Sequence, residues 1–247
     1  MRRQRLVLLS FMIMICTAAV PVTLAQMTHE LSWGVDEGEE FVYALQRRLV
    51  NDAWKSYIET VLPFVAGLSE GQLVIVTVSS LDNITGLLED IPVSYCNLTR
   101  ENDSVVILTN YQLMVVPIGD WSLLTEAGGF TTMPGVTVID NEDEWGTLTS
   151  GVFEAGGLTV SLFQELRYEK ENGTLVYLRL RYSSLGNDLV DVVFAQWHAA
   201  MPTVLPAELQ TSTLLIIAVA AAVGLVVTIL VYNQFKSRKS LVRQLGE

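Results

Sequence analysis

Two apolar runs, one near each end of the chain, constrain the protein most strongly. The first, Leu6–Val20, follows three arginines at positions 2, 3 and 5. The second, Leu214–Tyr232, precedes four basic residues. Apolar runs of this kind are typical of export signals and membrane spans. We therefore expect a globular domain in the stretch between them.

The first run predicts a signal peptide over residues 1–25. It has a charged start, an apolar segment and a small-residue stretch that ends at Ala25. A helix of roughly 15 residues is about 22 Å long, which is shorter than the ~30 Å hydrocarbon core of a bilayer. We expect cleavage near Ala25, and an uncleaved anchor is the alternative. A lipoprotein signal is disfavoured because bulky residues precede Cys16.

The second run predicts a transmembrane helix over residues 214–232, since about 19 uncharged residues give a helix of about 28 Å. The basic residues after it predict a cytoplasmic tail over residues 233–247. We therefore expect a single-pass protein of the cell membrane, with its N-terminal domain outside and its C-terminal helix in the lipid bilayer. Small residues at four-residue spacing mark one helix face as a candidate homodimer contact. They are Ala220, Gly224 and Thr228.

The exported part is strongly acidic. Residues 26–235 contain 26 acidic and eight basic side chains. Such a surface repels a phosphate backbone, so we expect no nucleic-acid partner. After signal cleavage Cys96 has no partner within the chain, and we expect it to be buried like a small apolar residue. A disulfide to a second chain is the alternative.

Four Asn-x-Ser/Thr sequons in the exported part predict a glycoprotein. They begin at Asn83, Asn97, Asn102 and Asn172. Two of them coincide with turn signals, where a bulky glycan is tolerated.

Residues 26–197 predict one mainly β domain, and residues 198–213 predict a proline-containing stalk. Apolar residues at helical spacing predict an amphipathic helix over Asp52–Leu62, which Pro63 ends. The expected fold class is α+β: a curved antiparallel sheet or half-barrel with this one helix packed on it. Alternating or β-branched segments predict the strands. These segments are Glu39–Arg47, Gln72–Leu81, Val93–Leu98, Ser104–Leu108, Gln112–Val116, Val136–Ile139, Glu144–Phe153, Leu158–Tyr168, Thr174–Tyr182 and Leu189–Trp197.

The last three strands predict a meander whose register can be derived. A three-residue loop, Glu171–Gly173, pairs Leu178 with Leu166 and Val176 with Tyr168 on one face. On the other face it sets Arg179 against Glu165 and Arg167 against Tyr177. Gly173 would then take a left-handed conformation.

No residue pattern predicts catalysis, a cofactor or a metal site. His29 and His198 have no ligand or nucleophile spacing, and we do not expect an enzyme. The acidic run Asp140–Glu144 predicts a solvated hairpin turn, with a calcium site as the alternative. The five tryptophans are dispersed, so we expect them in the core; a platform for sugars or an apolar pocket is the alternative. They are Trp33, Trp54, Trp121, Trp145 and Trp197.

Several short motifs resemble the choice-of-anchor S proteins, a family of archaeal cell-surface proteins. They are the segments Trp33–Tyr43, Cys96–Ser104, Pro117–Trp121, Asp143–Gly146 and Arg167–Thr174, spread over most of residues 30–197. The resemblance implies export and anchoring by a C-terminal device, and it carries over no functional residues.

Two hypotheses follow for the domain. The first is a structural or interaction role at the cell surface, with another surface protein as partner. The second is a binding module with an apolar or sugar pocket between sheet and helix. A filled sheet–helix interface favours the first, and a lined cavity of several hundred Å³ favours the second.

Overall fold

The computed structural model describes residues 29–85 and 91–206. The predicted signal peptide, transmembrane helix, cytoplasmic tail and the stripe Ala220, Gly224 and Thr228 lie outside the described residues. Within the described residues, no helix has the length and apolar character that a membrane crossing requires.

The described residues form nine strands and two short α-helices. All nine strands belong to one antiparallel sheet that does not close on itself, in the order β4-β3-β2-β1-β9-β8-β7-β6-β5. The expectation of a mainly β domain is therefore confirmed. The strands are β1 Glu40–Val50, β2 Leu73–Leu81, β3 Ser94–Arg100, β4 Val106–Tyr111, β5 Val136–Asp140, β6 Glu144–Ala155, β7 Leu158–Glu169, β8 Leu175–Ser184 and β9 Asn187–Gln196; the helices are α1 Lys55–Val61 and α2 Trp121–Ala127.

The predicted helix after β1 is present but divided. A 3₁₀ turn, Asp52–Trp54, leads into α1, and the Asn51 side chain accepts a hydrogen bond from the Ala53 N–H at 3.1 Å. Pro63 ends α1 as expected and begins a second 3₁₀ helix, Pro63–Gly67. Proline favours a first helical turn because its missing N–H would be unpaired there in any case.

Two other expectations for this part of the chain were wrong. Gln112–Val116 is not a strand and contributes one isolated bridge, between Val115 and Thr174. Helix α2 was missed. It begins at Trp121 and is capped by Asp120, whose carboxylate accepts a hydrogen bond from the Leu123 N–H at 3.0 Å. An aspartate at this position is a common N-terminal cap, but seven residues give too short a pattern to outweigh the surrounding strand signals.

The derived register of the β7–β8 hairpin is confirmed except at its end. Leu166 pairs with Leu178, Glu165 with Arg179 and Arg167 with Tyr177. Tyr168 pairs with Leu175 instead of Val176 because the register shifts by a bulge after Arg167. A bulge adds one unpaired residue to one strand, so a register derived from strict alternation fails beyond it.

Gly173 has the predicted left-handed conformation, with φ of 76°. A Cβ atom on this residue would lie 2.1 Å from the Val116 carbonyl oxygen. We expect Gly173→Ala to lower the free energy of unfolding by more than ~1 kcal/mol, because backbone strain and the close approach add. Urea denaturation measures it, with Gly151→Ala as control, since that glycine has open space around its Cα. Equal stability of the two variants would contradict the expectation.

The sheet has two faces, which we call the helix face and the polar face. Because successive residues of a strand point to opposite faces, Leu178, Leu180 and Tyr182 of β8 lie on the helix face. On this face the Phe194 ring lies between those of Tyr43 and Phe64, at centroid distances of 5.0 and 4.7 Å. All three side chains are fully buried.

The described half of the predicted stalk packs on the domain. The Gln46 side chain donates a hydrogen bond to the Pro202 carbonyl at 2.7 Å, and the Leu205 N–H donates to the Gln46 carbonyl at 2.9 Å. The Trp197 indole N–H donates to the Met201 carbonyl at 3.0 Å. Loss of alternation after Trp197 therefore marks the end of the last strand, while contacts with the sheet continue to Pro206.

Candidate functional site

A cleft of about 460 Å³ lies on the helix face, and we call it the helix–sheet cleft. Its walls are the C-terminal end of α1, the segment at and after the end of β4, and the helix face of β7 and β8. The lining residues are Val61, Leu62, Asn110, Tyr111, Gln112, Leu113, Gln164, Leu178 and Leu180. The cleft thus lies at the sheet–helix interface, where the second sequence hypothesis expects a pocket.

Four lining side chains are polar but uncharged: Asn110, Tyr111, Gln112 and Gln164. Within the part of the chain that the structure describes, no hydrogen bond engages any of these four side chains. Asn110 and Gln112 are exposed at the rim, whereas Tyr111 and Gln164 are half-buried. Apolar walls with a few convergent polar groups are typical of small-molecule sites.

A bulge in β4 places Tyr111 at this cleft. Between the pairs Leu98–Leu108 and Cys96–Tyr111, β4 has one residue more than β3. Asn110 adopts a left-handed conformation there, with φ of 56°, which asparagine tolerates better than most residues. The Tyr111 ring consequently meets the buried Phe64 ring edge-on at 5.7 Å. Burial raises the pKa of Tyr111, so its hydroxyl stays protonated.

A second cleft of about 620 Å³, the polar-face cleft, lies on the opposite face of the sheet. Arg167 is its central charge. The guanidinium donates to Glu165 and to Glu144, at 2.7 and 3.3 Å, and lies 5.6 Å from the centre of the Tyr177 ring. Burial acts to lower the pKa of Arg167, and the two carboxylates outweigh it and raise that pKa. The other lining residues are Gln46, Glu169, Val176, Ala195, Gln196, Trp197, His198 and Met201.

The polar face also contains a nearly buried ion network around Asp191 of β9. Its carboxylate accepts hydrogen bonds from Arg47 of β1 and from Arg179 of β8, each at 3.0 Å. The cross-strand pairing of Arg179 with Glu165 was predicted correctly. Arg179 binds Asp191, and Glu165 binds Arg167.

The four sequons occupy different environments. Asn83 and Asn102 are exposed, in the loop after β2 and in the turn between β3 and β4. Asn97 is half-buried within β3, and its side chain accepts from the Asn110 N–H at 3.3 Å. Asn172 is the most constrained, because its amide donates to Glu169 at 2.8 Å and accepts from the buried Thr174. Asn83 and Asn102 therefore offer the most accessible amides.

The remaining residues singled out in the sequence take structural positions. Asp140–Glu144 is a hairpin turn, in which Asn141 accepts from the N–H groups of Asp143 and Glu144. Among the described residues, no three histidine, cysteine, aspartate or glutamate side chains are grouped so as to hold a metal ion. Cys96 is buried and unbridged, and burial raises the pKa of its thiol to about 11. His29 contacts the Thr85 carbonyl at 2.8 Å, and His198 lines the polar-face cleft.

Four of the five tryptophans belong to the core or pack against it, as expected. Trp54 stacks on Tyr182 at 5.0 Å, and Trp121 lies 5.5 Å from Trp145. Trp197 instead lines the polar-face cleft. None of the tryptophans lines the helix–sheet cleft. Sequence patterns therefore identified the interface that contains this cleft but none of the polar residues in its wall.

Comparison of the chain with protein-family models, with curated proteins and with solved structures finds no match. Function must therefore be argued from the geometry of the two clefts and from the sequence.

Proposed function

We propose that this chain is a single-pass cell-surface protein whose β domain binds a small ligand in the helix–sheet cleft. The observation that carries the proposal is a cleft of about 460 Å³ at the interface between α1 and the sheet. Its volume falls within the range of roughly 300–1,000 Å³ that is common for small-molecule sites.

The sequence supports the surface location. The apolar run before Ala25 and the uncharged run over residues 214–232 have the lengths of a signal peptide and a membrane span. An acidic exported domain with exposed sequons at Asn83 and Asn102 fits a glycosylated exterior. The short motifs shared with the choice-of-anchor S proteins agree with this location, and we propose membership of that family.

A structural or interaction role is the second candidate. It is favoured by the dense packing of the rest of the helix face, where Tyr43, Phe64 and Phe194 form a continuous aromatic stack. The packing of Gln46 against Pro202 and Leu205 also holds the end of the domain close to the sheet. Such a rigid domain could present its surface to another protein without binding a small molecule.

Native mass spectrometry of the segment 26–206, purified from its expression host without detergent, separates these two functions. We expect a bound small molecule in the wild-type segment and its loss in Gln164→Trp, because the indole would fill the cleft from β7. Ser161→Trp is the matched control, since Ser161 is exposed on the opposite face of the same strand. If the wild-type segment is empty and takes up nothing from a lipid and sugar extract, the structural role is favoured.

A further inference from the structure

We infer that the ligand of the helix–sheet cleft is a neutral molecule that combines an apolar part with hydroxyl or amide groups. This inference rests on the proposed function and adds the chemical class of the ligand. Three properties of the cleft carry it: the absence of charge in its lining, the hydrogen-bonding capacity of its polar side chains, and its volume.

The first property is charge. None of the nine lining residues is an acid or a base that ionises near neutral pH, and burial raises the pKa of the Tyr111 phenol further above that range. An ionic group that leaves water without a counter-charge loses far more hydration energy than it regains. The acidic exterior attracts cations to the surface of the domain, but the cleft wall has no carboxylate to receive them. Carboxylate, phosphate and ammonium groups therefore do not suit this site.

The second property is the pattern of donors and acceptors. The carboxamides of Asn110, Gln112 and Gln164 each offer an acceptor oxygen and a donor N–H, and the Tyr111 hydroxyl offers both. A hydroxyl or amide group on the ligand has the same dual character and can pair with any of them. A pure hydrocarbon would instead displace water from Tyr111 and Gln164 and leave these half-buried groups unpaired.

The polar side chains of the cleft come from two different segments of the chain, and this arrangement constrains where the ligand carries its polar groups. Gln164 belongs to β7, whereas Asn110 and Tyr111 end the edge strand β4 and Gln112 follows them. Apolar side chains, among them Leu62 and Leu178, complete the lining. The ligand must therefore present polar groups toward both β7 and the end of β4, and apolar surface elsewhere.

The third property is volume. About 460 Å³ lies in the lower part of the range of roughly 300–1,000 Å³ that is common for small-molecule sites. This space suits a single sugar ring with a short apolar substituent, or an alcohol with a ring or chain of similar size. Both sources share the same chemistry, which is a neutral hydroxyl-bearing amphiphile.

Matched probes test the inference on the full chain in lipid nanodiscs. Phenyl β-glucoside and 4-phenylbutanol represent the two neutral sources; phenyl β-glucuronide and 4-phenylbutanoate are their anionic counterparts. Ligand-detected saturation-transfer NMR gives the Kd of each probe at pH 7.5. We expect the neutral member of at least one pair to bind at least tenfold more tightly than its anion. If the anions bind as tightly as the neutral probes, the inference is wrong while the proposed function stands.

A charge placed in the wall gives the complementary test. In Gln164→Lys the ratio of anionic-probe affinity to neutral-probe affinity should rise at least tenfold, because the ammonium supplies the missing counter-charge. Ser161→Lys, on the opposite face of β7, should leave the ratio unchanged. If this affinity ratio were the same in Gln164→Lys as in the wild type, the assignment of the ligand to this cleft would be overturned. If none of the four probes binds, the inference fails, whereas the proposed function is decided by the native mass spectrum of the wild-type segment.

Discussion

Replacing Asp191 by alanine should lower the free energy of unfolding by about 3–5 kcal/mol, the usual cost of removing one partner from a buried ion pair. The Asp191 side chain is 1% exposed, and it accepts hydrogen bonds from Arg47 and Arg179. These two arginine side chains are themselves only 10% and 17% exposed. Removal of the carboxylate would take from two largely buried guanidinium groups the counter-charge that they share.

Urea denaturation of the segment 26–206 measures this loss. Glu59→Ala is the matched control, since Glu59 pairs with Lys55 on the surface of α1 at 4.0 Å. An exposed pair one helical turn apart contributes about 0.3–0.5 kcal/mol, so the control should change the stability little. Asp191→Asn separates the effect of the charge on the unfolding free energy from the effect of side-chain size, because it keeps the size and removes the negative charge. If Asp191→Ala were no more destabilising than Glu59→Ala, the network would not contribute to stability as argued.

Replacing Phe194 by alanine should cost about 3–5 kcal/mol of unfolding free energy, because the change removes a large buried ring and leaves a cavity. Phe194 is fully buried at the centre of the aromatic stack, with the Tyr43 ring parallel to it at 5.0 Å and the Phe64 ring at 4.7 Å. The Phe64 contact joins the 3₁₀ helix after α1 to the sheet. The cavity would therefore weaken both the β1–β9 packing and the attachment of the helical segment.

The same denaturation experiment includes Val152→Ala as a control, because Val152 of β6 is 68% exposed. A surface change of this kind usually alters stability by less than about 0.5 kcal/mol. Since Phe194 and Asp191 lie on the same strand but on opposite faces, both variants can be compared within one element. Similar stability of the Phe194→Ala and Val152→Ala variants would show that the aromatic stack is not the centre of the core.

The sequence predicts the β7–β8 hairpin well because its determinants are local. Alternating residues on two neighbouring segments, together with Gly173 in the turn, suffice to pair Leu166 with Leu178. Prediction ends at the bulge after Arg167, because a register derived from strict alternation has no place for the extra residue. Helix α1 is likewise predictable from spacing and from Pro63. Helix α2 is not, since one aspartate cap over seven residues is a weak signal.

The helix–sheet cleft lies beyond local prediction. Its lining residues come from four separate parts of the chain, from Val61 to Leu180. Alternation indicates that Gln164 shares a face with Leu166, but it does not indicate which segment lies above them. Tyr111 reaches the cleft because Asn110 takes a left-handed conformation in a bulge of an edge strand. The sequence pattern instead favoured a strand just after this position, which would have carried the chain elsewhere.

The sequence by itself determined the mainly β class, the position of the helical segment and the pairing of its clearest hairpin. These properties depend on the period of apolar residues and on turn chemistry, which act over a few neighbouring residues. The tertiary structure alone decided that Arg47 and Arg179 both bind Asp191, and that a cleft forms between α1 and the sheet. Ion pairs and cavities depend on how segments distant in sequence meet, and residue periodicity carries no information about such contacts.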